Sequence, residues 1–180
     1  MNYLTRYLHF NLLFLSFISF VYPQENMVGK NAYIFTSKTL DDESRYSLSS
    51  IIKNDKLIFI NFFATWCSPC IQELPLLSDF HNENKNSFEM IIIDVNNLSI
   101  IQDNKPVQLE EDLSIVKKIL SNNKISFTAL FDKHAFIAKQ YGVSNLPHSV
   151  LIKDGIIVWE GRKKLTNIAL NDLKKFLNDD

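Results

Sequence analysis

The sequence predicts an α/β domain with a mixed central sheet flanked by helices, and three observations carry that expectation. Two near-continuous apolar runs, "KLIFINFFA" (56–64) and "SFEMIIIDV" (87–95), have the β-branched and aromatic content of strands buried on both faces. Segments whose apolar residues recur at helical spacing alternate with them. Near the C-terminus, "HSVLIKDGIIVWEG" (148–161) sets two apolar runs around Asp154-Gly155, a favoured two-residue hairpin turn, so the sheet gains an antiparallel pair.

Each element follows in chain order. "NAYIFTSKTLDDESRYSLSSI" (31–51) reads as a short strand, an Asp-Asp turn and a second short segment leading into a helical turn. After the first buried strand, "SPCIQELPLLSDFHNEN" (68–84) changes period, with Ile71, Leu74, Leu77 and Phe80 at helical spacing. The second buried strand leads into "NNLSIIQDNKPVQLE" (96–110), which reads as a loop. "LEEDLSIVKKILSNN" (109–123) is an amphipathic helix with acids at its start and lysines toward its end, the arrangement the helix dipole favours. "ISFTALFD" (125–132) is a strand, "HAFIAKQYG" (134–142) a helix stopped by Gly142, and "LTNIALNDLKKFLND" (165–179) a last helix after the hairpin.

These elements occupy one domain, residues 27–180, and residues 1–26 stand apart from it. Arg6 and His9 precede "FNLLFLSFISFVY" (10–22), the positive-then-apolar layout of an export signal. The run is short of the roughly 20 apolar residues that span a bilayer. No small-x-small pair precedes Gln24, so cleavage and retention as an N-terminal membrane tether through residues 8–22 both stay open. Either outcome predicts an exported protein, periplasmic or anchored facing the periplasm. A net charge of -1 offers no basic surface to nucleic acid.

The chain has 2 cysteines, Cys67 and Cys70, inside "NFFATWCSPCIQELP" (61–75), so it builds at most one bridge. A structural zinc site needs four ligands; there is no second Cys-x-x-Cys, and His9, His81, His134 and His148 show no paired ligand spacing. No metal or other cofactor is expected, although two thiolates suit Cu(I). A purely structural bridge across so small a loop removes little unfolded-state entropy, which directs attention to its chemistry. Trp66-Cys67 falls where a buried strand gives way to a helix. There the unpaired amides and the helix dipole favour a thiolate below the free thiol value of ~8.5. Pro69 fits the first turn, where its missing N–H costs no hydrogen bond. Cys67 is therefore expected to be exposed and nucleophilic, and Cys70, one turn on, more buried and able to resolve a mixed disulfide on Cys67.

With these motifs the sequence resembles the thioredoxin-like superfamily, and more narrowly its exported TlpA/ResA-type thiol-disulfide oxidoreductases. "FINFFATWCSPC" (59–70), "ELP" (73–75) and "YGVSNLPHSVLIKDGIIV" (141–158) carry the likeness, and residues 33–51 match the N-terminal β-hairpin which that branch adds to the thioredoxin-like fold. The resemblance implies attack by Cys67 and resolution by Cys70, with Pro147 as the cis-proline beside the site and Pro75 as the helix-kinking proline. It places Trp66, Leu146, Pro147 and His148 at the surface that takes substrate. Asn61 stands where ordinary thioredoxins keep a buried aspartate, and an amide cannot shuttle a proton. Glu73 instead shares a helix face with Cys70, where desolvation would raise its pKa and suit it to exchange a proton with that thiol.

Two departures qualify the partner surface. Asn145 replaces the usual Gly before the cis-proline and His148 the usual Thr after it; His148 either tunes the Cys67 thiolate or contacts a partner. Ser68-Pro69 supplies no cation to stabilise the thiolate strongly. A reducing couple is expected, nearer thioredoxin at about −270 mV than DsbA at about −120 mV. Expected partners are disulfide-containing proteins, with apocytochrome c among those the branch serves, and an upstream membrane thiol-disulfide reductant. Two other readings stand beside this one. A peroxiredoxin-like peroxidase places its cysteine after threonine, whereas Trp66 separates Thr65 from Cys67. A Cu(I)-binding or chaperone protein would hold copper without reducing disulfides.

Overall fold

Every residue of Leu57–Phe63 (β3) is buried, because this strand lies in the middle of the sheet with helices on both sides. The computed structural model describes residues 26–53, 56–95 and 113–177, and the backbone of 101–102 and 105–106. The expected signal or tether at residues 1–26 lies outside the described residues except for Asn26.

The elements run β1 (Thr36–Lys38), β2 (Arg45–Ser47), α1 (Leu48–Ile51), β3, α2 (Ser68–Asn84), β4 (Phe88–Asp94), β5 (Ile101–Gln102) and β6 (Lys105–Pro106). They continue with α3 (Leu113–Asn122), β7 (Thr128–Phe131), α4 (Phe136–Gln140), β8 (His148–Lys153), β9 (Ile156–Gly161) and α5 (Asn167–Leu173). The main sheet has the order β7-β4-β3-β8-β9. β4 pairs in parallel with β3 and with β7, while β8 pairs antiparallel with β3 and with β9. This is the mixed sheet that the sequence implies.

Side-chain alternation divides the core into two layers. Phe59 and Phe63 pack with Leu74, Leu77, Val116, Leu120, Leu170 and Leu173, so α2, α3 and α5 cover one face. Ile58, Ile60 and Phe62 pack with Leu48, Ile137, Ala138 and Tyr141, so α1 and α4 cover the other. Phe59 is fully buried and its ring lies 6.4 Å from that of Trp159. Phe59→Ala is expected to cost about 3–5 kcal/mol through lost burial and a residual cavity. Urea unfolding would show it as a lower midpoint at unchanged slope.

The residues before β3 protect both edges of the sheet, which would otherwise offer unpaired backbone groups to another strand. Gly29 N–H donates to Ile157 at 2.8 Å, Ile157 N–H to Lys30 at 2.9 Å and Ala32 N–H to Gly155 at 2.8 Å, which covers β9. On the far side Thr39 bridges Leu130, and Leu40 N–H donates to Ala129 at 2.8 Å, which covers part of β7. The expected N-terminal hairpin is thus β1 paired with β2, and it leads into this edge contact.

Two expectations about secondary structure need correction, and a third is only partly covered by the described residues. The segment read as a loop holds a two-residue antiparallel pair, β5 with β6, too short to leave an alternating pattern. The last helix is α-helical only to Leu173 and tightens into a 3-10 turn at Lys174–Leu177, and 178–180 lie outside the described residues. The helix expected from 109 is described from Leu113, so its acidic start lies outside as well.

Candidate redox site

Strand β3 ends at Phe63, and four residues later Cys67 caps the N-terminus of α2 with extended backbone angles. Its own N–H donates to the Ala64 carbonyl at 3.0 Å, which turns the chain from strand to helix. Cys67 and Cys70 are joined in a disulfide across this first turn, and no free cysteine remains. The Cys70 N–H points at Cys67 Sγ from 3.3 Å. In the reduced protein an amide so placed stabilises a thiolate on Cys67. Pro69 sits within this first turn as expected, and the helix continues through Pro75, which removes one hydrogen bond to the preceding turn.

The expected order of exposure holds, but its degree does not. Cys67 is 4% exposed and Cys70 fully buried, so the first cysteine presents only a narrow opening to solvent. It lies inside the apolar cluster against which half-buried Trp66 and Leu146 pack. Leu146–Pro147 is a cis peptide, as the resemblance implies, and Pro147 is buried. Trp66 and Leu146 therefore pack on the same cluster as the sulfurs.

Glu73 is 1% exposed on the buried face of α2, the face that also carries Cys70. One carboxylate oxygen accepts from Asn61 Nδ2 at 2.9 Å and the other from the Leu165 N–H at 2.8 Å. Asn61 Nδ2 also donates to Ser149 Oγ at 3.0 Å, so β3, β8 and the segment before α5 together fix the carboxylate. Burial pushes the Glu73 pKa up, and the Leu165 amide, the Asn61 amide and the charge of Lys164 only partly offset it. Lys164 in turn donates to Gln72 at 3.0 Å, holding its segment against α2. Asn61 was legible in the sequence; Ser149, Lys164 and Leu165 were not. The β-strand period would have placed Ser149 on the face of Asn61 once the strand pairing was known.

His148 is not where either expectation placed it. It is fully buried, so it offers nothing to a partner, and its side chain lies on the opposite face of the sheet from Glu73. The reason is alternation: Ser149 turns toward Asn61 and Glu73, so its neighbour must turn away. There the imidazole meets the Phe62 ring edge-on at 6.0 Å and Glu160 at 3.0 Å.

Among the described residues no three His, Cys, Asp or Glu side chains converge as metal ligands. What the site holds is a dithiol/disulfide couple at a helix end, with one buried carboxyl beside it. Such a couple can accept or deliver two electrons by thiol-disulfide exchange.

The chain is similar to known proteins in sequence and fold. Residues 28–160 match the AhpC/TSA family. The thiol-disulfide oxidoreductase ResA of Bacillus thuringiensis subsp. konkukian is 29% identical over 158 residues, covering 87% of this chain and 82% of that protein. ResA of Bacillus anthracis is 30% identical over 141 residues, covering 77% and 72%. The thioredoxin domain of a thiol-disulfide oxidoreductase from Bacteroides vulgatus superposes with a TM-score of 0.68 at 19% identity, over 86% of this chain and 100% of that one.

Proposed function

The chain belongs to the AhpC/TSA family, and we propose that within it this protein is a thiol-disulfide oxidoreductase that reduces disulfides in partner proteins. One observation carries the reading: the Cys67–Cys70 bridge caps a helix whose next buried polar group is Glu73.

The reaction balances as follows. In the dithiol form, Cys67 thiolate attacks one sulfur of the partner's disulfide, that bond breaks, and the departing thiolate takes up a proton. Cys70 gives its proton to the Glu73 carboxylate and attacks Cys67 Sγ, which releases the partner's second sulfur as a thiolate that takes up a proton. Two electrons have passed to the partner and the pair is bridged. An upstream dithiol of the membrane restores it by the same exchange in reverse. Leu146 and Pro147 supply the docking edge and Trp66 the apolar rim.

The layout of residues 1–26 supports export, with action on the periplasmic side, and a tether through residues 8–22 would keep the domain at the membrane. No helix among the described residues is long and apolar enough to cross a membrane. Haem-site cysteines of apocytochrome c fit the partner chemistry, since they must be kept reduced before ligation.

Equilibration with glutathione redox buffers is expected to give a potential near that of thioredoxin, about −270 mV, and the reduced protein is expected to reduce insulin. A potential near DsbA, about −120 mV, would reverse the direction of electron flow. Consumption of hydrogen peroxide by the dithiol at rates above those on insulin would favour the peroxidase class instead.

A further inference from the structure

His148 follows the cis-proline directly and is fully buried, yet the mechanism above gives it no task. Its Nε2 lies 3.0 Å from Glu160 Oε1, and the same oxygen meets Arg162 Nη2 at 2.7 Å. The second Glu160 oxygen accepts the Met27 N–H at 3.2 Å. One carboxylate thus gathers the end of the cis-proline turn, strand β9 and the segment at Met27. On its other side His148 pairs along the strand with Phe62, which lies five residues before Cys67.

We propose that His148 is a positioning residue of the redox site: held by the Glu160–Arg162 pair, it fixes the Leu146–Pro147 turn for docking of an extended protein segment. The inference rests on the oxidoreductase reading and deepens it, because it concerns how a protein partner is held and not how sulfur reacts. The geometry explains why a histidine serves here. The imidazole sets Nε2 against the Glu160 carboxylate and its ring edge-on to Phe62, and the charge of Glu160 is balanced by that of Arg162. An alanine would remove the contact with the carboxylate and leave a void beside Phe62, next along the chain from Pro147. Burial together with the charge of Arg162 favours the neutral form, against the pull of Glu160. Among the described residues Glu160 and Arg162 are the charged groups that act on it, both from the β9 side; Phe62 from β3 and the Met27 backbone complete its surroundings.

The test compares two oxidants of the pre-reduced full-length chain: insulin, which must dock along the turn, and glutathione disulfide, which is small. Second-order rate constants are measured for the wild type, His148→Ala and His148→Gln. The His148→Ala variant is expected to lose about tenfold on insulin and less than twofold on glutathione disulfide. The His148→Gln variant, which keeps a donor, is expected to recover most of the insulin rate. The glutathione equilibrium constant should not move. A folded His148→Ala variant whose insulin-to-glutathione ratio stays within twofold of the wild type overturns the inference, as does an equal loss on both oxidants. If His148→Ala does not fold, Glu160→Gln serves instead: it keeps the shape, and a lower insulin-to-glutathione ratio supports the inference while an unchanged ratio overturns it. Wild-type protein that reduces neither oxidant overturns the oxidoreductase reading, and this inference falls with it.

Discussion

Cys67→Ala is expected to lower disulfide reduction by roughly a thousandfold or more, to the level of free buffer thiol, because the reaction then has no attacking sulfur. Cys70→Ala should behave differently. Cys67 can still attack, but nothing displaces the partner, so a mixed disulfide accumulates at one equivalent per chain. The burial of the two residues makes the asymmetry sharp: Cys67 keeps a 4% opening at the helix end and Cys70 has none. Mass spectrometry of the Cys70→Ala protein after exposure to oxidised insulin would show one adduct on Cys67. Adducts formed equally by Cys67→Ala at Cys70 would contradict the assigned roles. The same trap, applied in cells, would identify the physiological partner by its attached sulfur.

The parts of this site that were legible in the sequence are those that depend on local chain order. A strand of continuous apolar residues followed at once by Trp-Cys-x-x-Cys and helical spacing fixes both cysteines at a helix start, and Glu73 lies on the face of Cys70 by helical period alone. Residues whose positions depend on strand pairing were not legible in this way. Whether His148 or Ser149 faces the sulfurs is decided by the antiparallel register of β8 against β3, in which Asn61 opposes Ser149 and Phe62 opposes His148. A one-residue slip would exchange their faces. The low exposure of Cys67 was not legible either: a helix end favours charge on a sulfur, but this one sits in the apolar cluster that Trp66 and Leu146 pack against, a contact made by tertiary packing. Edge protection had no sequence signal of its own, since residues 29–32 meet β9 through backbone hydrogen bonds, which any residue type can make.

Glu73→Gln is expected to preserve the fold and to slow resolution of the mixed disulfide by about 10- to 100-fold, the range a positioned proton acceptor contributes. The geometry tolerates the change. Glutamine keeps an oxygen for the Leu165 N–H, and its amide can donate to Asn61 Oδ1, a buried atom without a partner among the described residues, once the Asn61 side chain flips. The stability effect has a definite sign. Burial raises the Glu73 pKa in the folded protein, so the native state holds this proton at pH values where the unfolded chain has released it. The group's contribution to stability is therefore fully present below the ordinary carboxyl value and is lost as pH rises through the raised one. Removing the charge at neutral pH should leave the protein as stable as the wild type or more so, which thermal unfolding at pH 5 and pH 8 would check. The rate has the opposite pH dependence. Only the ionised carboxylate can accept the Cys70 proton, so wild-type resolution should fall on the acid side of the raised pKa. The Glu73→Gln variant should lose that limb and keep only the dependence set by Cys70's own ionisation. A variant with wild-type rates and an unchanged acid limb would show that Glu73 is a buried structural acid, and the proton released by Cys70 would then have to pass directly to solvent.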